Sequence, residues 1–119
     1  MQAFSSEDLA VRIAAPGVEF RTKPAGDLTV GWMKLEQGVD LAPATKGLPD
    51  DLCQCPHWGY VITGKVRMKT AHGSQDYTAG EAFHWAPGHV PEALEDSEYV
   101  DFSPTEGIEE LIAFLTRDG

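Results

Sequence analysis

HWGYVITGKVRMKT, residues 57–70, holds two runs of strand length on either side of Thr63–Gly64, a plausible two-residue turn. Pairing outward from that turn as a hairpin sets Ile62 opposite Lys65, Val61 opposite Val66, Tyr60 opposite Arg67, Gly59 opposite Met68, Trp58 opposite Lys69 and His57 opposite Thr70. Strand alternation then puts His57, Gly59, Val61, Val66, Met68 and Thr70 on one face, which is the interior one. The other face carries Trp58, Tyr60, Ile62, Lys65, Arg67 and Lys69. It is either an amphipathic outer surface, with cation stems packed along rings, or a subunit contact.

Further runs of the same kind lie on both sides of this stretch: Val18–Thr22, Leu28–Leu35, Ser74–Thr78, Glu81–Trp85 and Glu98–Phe102. Gly- and Pro-containing turns separate them, at Pro24–Gly26, Gly47–Pro49, His72–Gly73, Ala79–Gly80 and Pro87–Gly88. Many short strands at this spacing predict an all-β antiparallel sandwich or barrel over about residues 18–102. After it, Ser103, Pro104 and Glu106 read as a cap, a first-turn proline and a capping-box acid. Ile108, Leu111, Ile112 and Leu115 then recur at helical spacing, so a short amphipathic helix is expected over about 104–116. A weaker helix is expected after Ser5. With 119 residues and no repeat or linker, the chain reads as a single domain, 1–119.

Composition narrows the function classes. The 42% hydrophobic and 24% charged content is that of a globular chain rather than a disordered one. The longest apolar run, Leu111–Leu115, is far short of the roughly 20 residues a membrane-spanning helix needs. Nine basic residues against 19 acidic ones give a net charge of −10, and the last third of the chain holds a single base, Arg117. Such a surface repels phosphate backbones and anionic lipid, so neither nucleic acid nor a membrane is an expected partner. Cys53 and Cys55 lie too close in sequence for an unstrained mutual disulfide, and no third cysteine is present. Read as free thiols, with no signal peptide at the N-terminus, they point to the cytoplasm.

Three of the four histidines and both cysteines fall in two windows, CQCPHWGYVITG at 53–64 and GEAFHWAPGHVPE at 80–92. Thiolate and imidazole are the preferred ligands of zinc and other borderline transition metals. Cys53 and His57 would stand about 13 Å apart on a straight strand, too far for one ion. Pro56 disfavours such a strand, so residues 53–56 are expected to loop back before the strand begins at His57. Each residue alone also has a plain structural reading: His57 as a hydrogen-bonded core histidine, Cys53 and Cys55 as small buried hydrophobes, His84 as a strand residue of undecided facing, His89 as a loop residue, His72 as surface.

Together the two windows resemble the paired motifs of the cupin superfamily, small barrels of jelly-roll type. The usual first motif has a His-x-His pair, a glutamate and a downstream glycine. Anchored on Gly64, the glutamate position falls on His57 and the paired positions on Cys53 and Asp51, so every usual ligand type is replaced. In the second motif, opened by Gly80 and turning at Pro87–Gly88, the expected histidine position holds Pro91, and His89 is displaced by two residues. The resemblance implies a jelly-roll barrel, a bound ion near Cys53, Cys55, His57 and His89, and pairing as a homodimer. It names no substrate.

Three functional readings follow. In the first, the barrel holds a divalent ion through Cys53, Cys55, His57 and His89, with a position open for a small-molecule ligand; the thiolates favour zinc or iron, with nickel or manganese as further choices. In the second, a metal-free barrel binds or senses a small molecule, with Trp32, Trp58 and Trp85 lining or covering the cavity. In the third, His57 or His84 acts as a base in metal-free acid–base catalysis, with a tyrosine as acid.

Overall fold

The computed structural model describes residues 1–117. After a 3₁₀ turn at Ser6–Asp8, where the weaker helix was expected, nine strands follow: β1 (Ala10–Ala15), β2 (Val18–Ala25), β3 (Leu28–Leu35), β4 (His57–Thr63), β5 (Lys65–Thr70), β6 (Gly73–Thr78), β7 (Ala82–Trp85), β8 (Val90–Ala93) and β9 (Ser97–Pro104). A four-residue helix, α1 (Ala42–Thr45), interrupts the long β3–β4 connection, and α2 (Thr105–Leu115) follows β9. All the strand pairs are antiparallel. One sheet has the order β1-β2-β3-β9-β4-β7 and the other β6-β5-β8.

The interior and exterior faces expected for residues 57–70 are largely those observed. His57, Val61, Val66 and Met68 are buried, whereas Trp58 and Tyr60 are 47% and 46% exposed; Thr70, at the strand end, is also exposed. The pairing is different. Strands β4 and β5 do not form a hairpin: β4 lies between β9 and β7, and β5 lies between β6 and β8 in the other sheet. Gly64 is the crossing point. Its φ of +84° is left-handed, and a Cβ there would stand 2.2 Å from the Asp96 carbonyl oxygen and 2.4 Å from Ser97 Oγ. A left-handed glycine serves a hairpin or a sheet crossing equally well, and the packing of the β8–β9 connection against it selects the crossing. Facing survives because the alternation shifts phase by one residue at the bend, the inward set passing from odd to even positions, so Val61 and Val66 are both fully buried.

Two strands lie outside those expected. β1 precedes the expected start of the barrel and forms an edge of the larger sheet, and β8 contains Pro91. A proline cannot donate to a ladder, but β8 is an edge strand of its sheet, where this is tolerated. The reading of Ser103 as a helix cap is also corrected. β9 continues through Ser103, which is fully buried, and Pro104 takes the cap position with no side-chain hydrogen bond. The helix itself lies close to where its periodicity put it. Ile108 and Ile112 are buried in the core with Phe20, Met33, Phe83, Trp85 and Tyr99, each such side chain contributing about 2 kcal/mol of transfer free energy. Arg12 of β1 forms a two-pronged ion pair with Glu109 at 2.8 and 2.9 Å, which ties α2 to β1.

Candidate metal centre

The two windows are joined through their backbones. Cys53 N–H donates to the His89 carbonyl at 2.8 Å, and the Cys53 carbonyl accepts from Gly88 N–H at 2.8 Å and His89 N–H at 3.2 Å. This isolated antiparallel bridge sets Cys53 and His89 side by side, and Pro56 lets the chain turn into β4 so that His57 comes up between them. One ligand atom from each of Cys53, His57 and His89 lies within 4.8 Å of the other two, and all three residues are buried. Cys53 Sγ is 3.8 Å from His57 Nε2, and the two imidazole rings meet edge to face at 5.0 Å.

Neighbouring groups orient both rings. His89 Nδ1 lies 2.6 Å from the Ala86 carbonyl oxygen, which can only accept, so Nδ1 carries the proton and Nε2 keeps its lone pair. His57 Nδ1 lies 2.6 Å from Ser103 Oγ, which leaves Nε2 facing Cys53. Hydrogen bonds of this kind at the remote ring nitrogen characterise metal-binding histidines. Burial, with a smaller contribution from His89, lowers the His57 pKa to about 3, so the ring is neutral and able to ligate at any physiological pH. Burial also lowers His89. The same burial raises Cys53 to about 11. Without a cation the thiol therefore keeps its proton.

Cys55 stands apart from this group of three. It is buried, its Sγ is 3.6 Å from the Pro56 carbonyl oxygen, and it packs where a Cβ on Gly107 of α2 would come within 3.1 Å. Burial raises its pKa to about 12, with smaller contributions from Cys53 and Asp101. Asp51, at the other paired position of the resembled motif, is exposed. His84 is exposed on the outer face of β7 and stacks on Trp58 across the strand pair, with ring centroids 4.9 Å apart. It cannot act as a base inside the barrel.

Asp101 and Ser103 belong to the site, although neither stands among the residues singled out from the sequence. Both are at inward positions of β9, as are Ser97 and Tyr99. The signal was legible: in SEYVDFSP, the alternation that buries Tyr99 also buries an aspartate. Asp101 is 4% exposed, and burial raises its pKa to about 8. Its Oδ2 lies 3.9 Å from His57 Nδ1, a contact between two groups that burial keeps neutral rather than an ion pair. Room for it comes from Gly31, its cross-strand partner on β3, where a Cβ would stand 2.4 Å from Asp101 Oδ1.

Beside the three ligand atoms is a cavity of about 190 Å³ with mostly apolar walls from the barrel interior, α1 and α2. Cys53, His57, His89, Trp85 and Asp101 all line it. The antiparallel double-sheet architecture is shared with solved structures. KdgF from Halomonas sp. is 25% identical with a TM-score of 0.63, over 87% of this chain and 94% of its own. The fold is that of the cupin superfamily. An RmlC-like cupin from Shewanella frigidimarina matches at 17% identity and a TM-score of 0.60, over 87% of this chain and 92% of its own. A mutant of the oxalate decarboxylase OxdC from Bacillus subtilis matches at 21% and 0.63, with 85% of this chain covering 28% of that longer chain. The sequence matches no protein-family model and no curated protein. No helix among the described residues is long and apolar enough to cross a membrane.

Proposed function

We infer that this chain binds a divalent transition metal through Cys53, His57 and His89 and a small molecule in the adjoining cavity. The observation that carries the reading is the convergence of one sulfur and two imidazole nitrogens, all buried, within 4.8 Å. A tetrahedral ion with bonds of about 2.0–2.3 Å separates its ligand atoms by about 3.3–3.7 Å. The 3.8 Å between Cys53 Sγ and His57 Nε2 is close to that, so only small side-chain movement is needed. One thiolate with two imidazoles favours zinc or iron, with nickel and manganese less suited. Three protein ligands leave a fourth position for a ligand from the cavity, the arrangement of catalytic rather than structural sites. Bound there, the ion would supply Lewis-acid polarisation of an oxygen. Cys55 is a fourth candidate, whose approach would need a movement of its loop away from Gly107.

Elemental mass spectrometry on untagged protein purified without chelator tests the reading. Near-stoichiometric zinc or iron in the wild type, lost in Cys53→Ser and His57→Ala while the barrel stays folded, is the expected result. Equal metal content in all three proteins sinks it. A metal-free binding barrel is the second reading, favoured by the Cys53 thiol's pKa of about 11 and by the apolar walls.

The outer face of the larger sheet supports a homodimer. Trp58, Tyr60 and Phe102 are each more than 40% exposed on the neighbouring strands β4 and β9, an apolar patch of the self-complementary kind that a two-fold contact uses. Tyr60→Glu is expected to give a folded monomer by light scattering, and an unchanged mass excludes this face. The two free, buried thiols suit a reducing compartment, in keeping with a cytoplasmic location.

A further inference from the structure

Two residues that line the cavity each carry a buried polar atom with no hydrogen-bond partner: the indole Nε1 of Trp85 and Oδ1 of Asp101, the latter packed against Gly31. Both residues are at least nine-tenths buried, at 3% and 4% exposed. Leaving one such group unpaired costs on the order of 1–3 kcal/mol, and few are left so in a native protein without a reason. Their chemistry is complementary. The indole can only donate, so it asks for an acceptor, while a carboxyl oxygen asks for a donor. A hydroxyl group can act in either role.

The rest of the cavity sets size and charge. Its volume of about 190 Å³ is slightly above the roughly 150 Å³ that accommodates benzene in an apolar protein cavity. Phe20, Met33, Ile108 and Leu111 supply apolar wall, and among the described residues no lysine or arginine lines it. A buried anion would lack a side-chain cation to pair with. We propose that the cavity takes an uncharged molecule of about one ring bearing a hydroxyl, with its body against these apolar side chains and its polar edge bonded, after a small rotation of the two side chains, to Trp85 Nε1–H and Asp101 Oδ1. This deepens the inferred small-molecule site and shares its cavity, but the polar contacts it uses are separate from the three metal ligands.

The test uses phenol and cyclohexanol as probes, with toluene and benzoate for comparison, on full-length protein with and without added zinc. The indole N–H resonance of Trp85, assigned by its loss in Trp85→Phe, is followed through each titration. Saturable movement of that resonance by phenol or cyclohexanol is expected, with toluene and benzoate at least about tenfold weaker, the factor for one unmade buried hydrogen bond or an unpaired charge. Trp85→Phe keeps the ring and its stack on Phe83, and by calorimetry should lose phenol affinity about tenfold while toluene affinity is unchanged. Asp101→Asn, nearly isosteric, provides a second variant. Absence of saturation by either hydroxylated probe overturns the proposal, as does toluene or benzoate binding as tightly as phenol. Failure of the metal reading is separately visible: zinc then fails to bind while phenol still titrates. If zinc binds and neither hydroxylated probe does, the ligand class alone is wrong.

Discussion

Loading an ion between Cys53, His57 and His89 requires a thiolate, and at neutral pH the metal-free site holds a thiol. Burial puts the Cys53 pKa at about 11, so at pH 7 the group lies about four units below its titration and the thiolate fraction is on the order of 10⁻⁴. Burial depresses both histidines, His57 to about 3, so neither has a proton to lose at the ligating nitrogen. Metal uptake should therefore release one proton from Cys53, and apparent affinity should rise about tenfold per pH unit across neutrality. Asp101 adds a second source below about pH 8, because a dication nearby favours its ionised form. Calorimetric zinc titrations at pH 7 in buffers of differing ionisation enthalpy should give between one and two protons for the wild type and one for Asp101→Asn. Zinc bound with no proton released, or affinity flat between pH 6.5 and 8.5, would refute Cys53 as a buried thiol that becomes a ligand.

Ser103→Ala removes the 2.6 Å partner of His57 Nδ1 and should weaken zinc binding about 10–100-fold in the same titration; an unchanged affinity shows that the ring is held by packing alone. Gly64→Ala forces a left-handed conformation and drives a Cβ into the Asp96 carbonyl, so it should cost about 2–4 kcal/mol and lower the melting temperature on the order of 10 °C, and a melt within a degree or two of wild type would remove the crossing-point argument. In the metal-free protein Asp101 has a folded pKa of about 8, raised from 3.8, so the folded state holds the extra proton and stability falls as pH rises through that interval. Relative to Asp101→Asn, the wild type should lose roughly 1 kcal/mol per pH unit between about pH 4 and 8, read from paired melts, and a constant difference contradicts a buried neutral carboxyl.

Much of this was legible before any coordinates. The alternation of HWGYVITGKVRMKT correctly assigned His57, Val61, Val66 and Met68 inward and Trp58 and Tyr60 outward. The periodicity of Ile108, Leu111, Ile112 and Leu115 located α2. The clustering of cysteine and histidine in two windows anticipated the group formed by Cys53, His57 and His89, while Cys55 lies outside it. Ser103 was misread because a serine before a proline satisfies a helix start as well as a strand end. Only its inward position on β9, against His57, distinguishes the two.

What the chain determines by itself is facing and element type, because both follow from backbone geometry over a few residues: a period of two in a strand, near four in a helix, and a proline or glycine where either must stop. Partner choice is different in kind. Whether Gly64 closes a hairpin or carries the chain to a second sheet, whether Cys53 meets His89, and whether Asp101 has a glycine opposite it depend on strands more than 30 residues away along the chain. Those pairings are settled by burying both inner faces at once, so the fold's class could be read locally, whereas the centre and its cavity exist only once the two sheets have closed on each other.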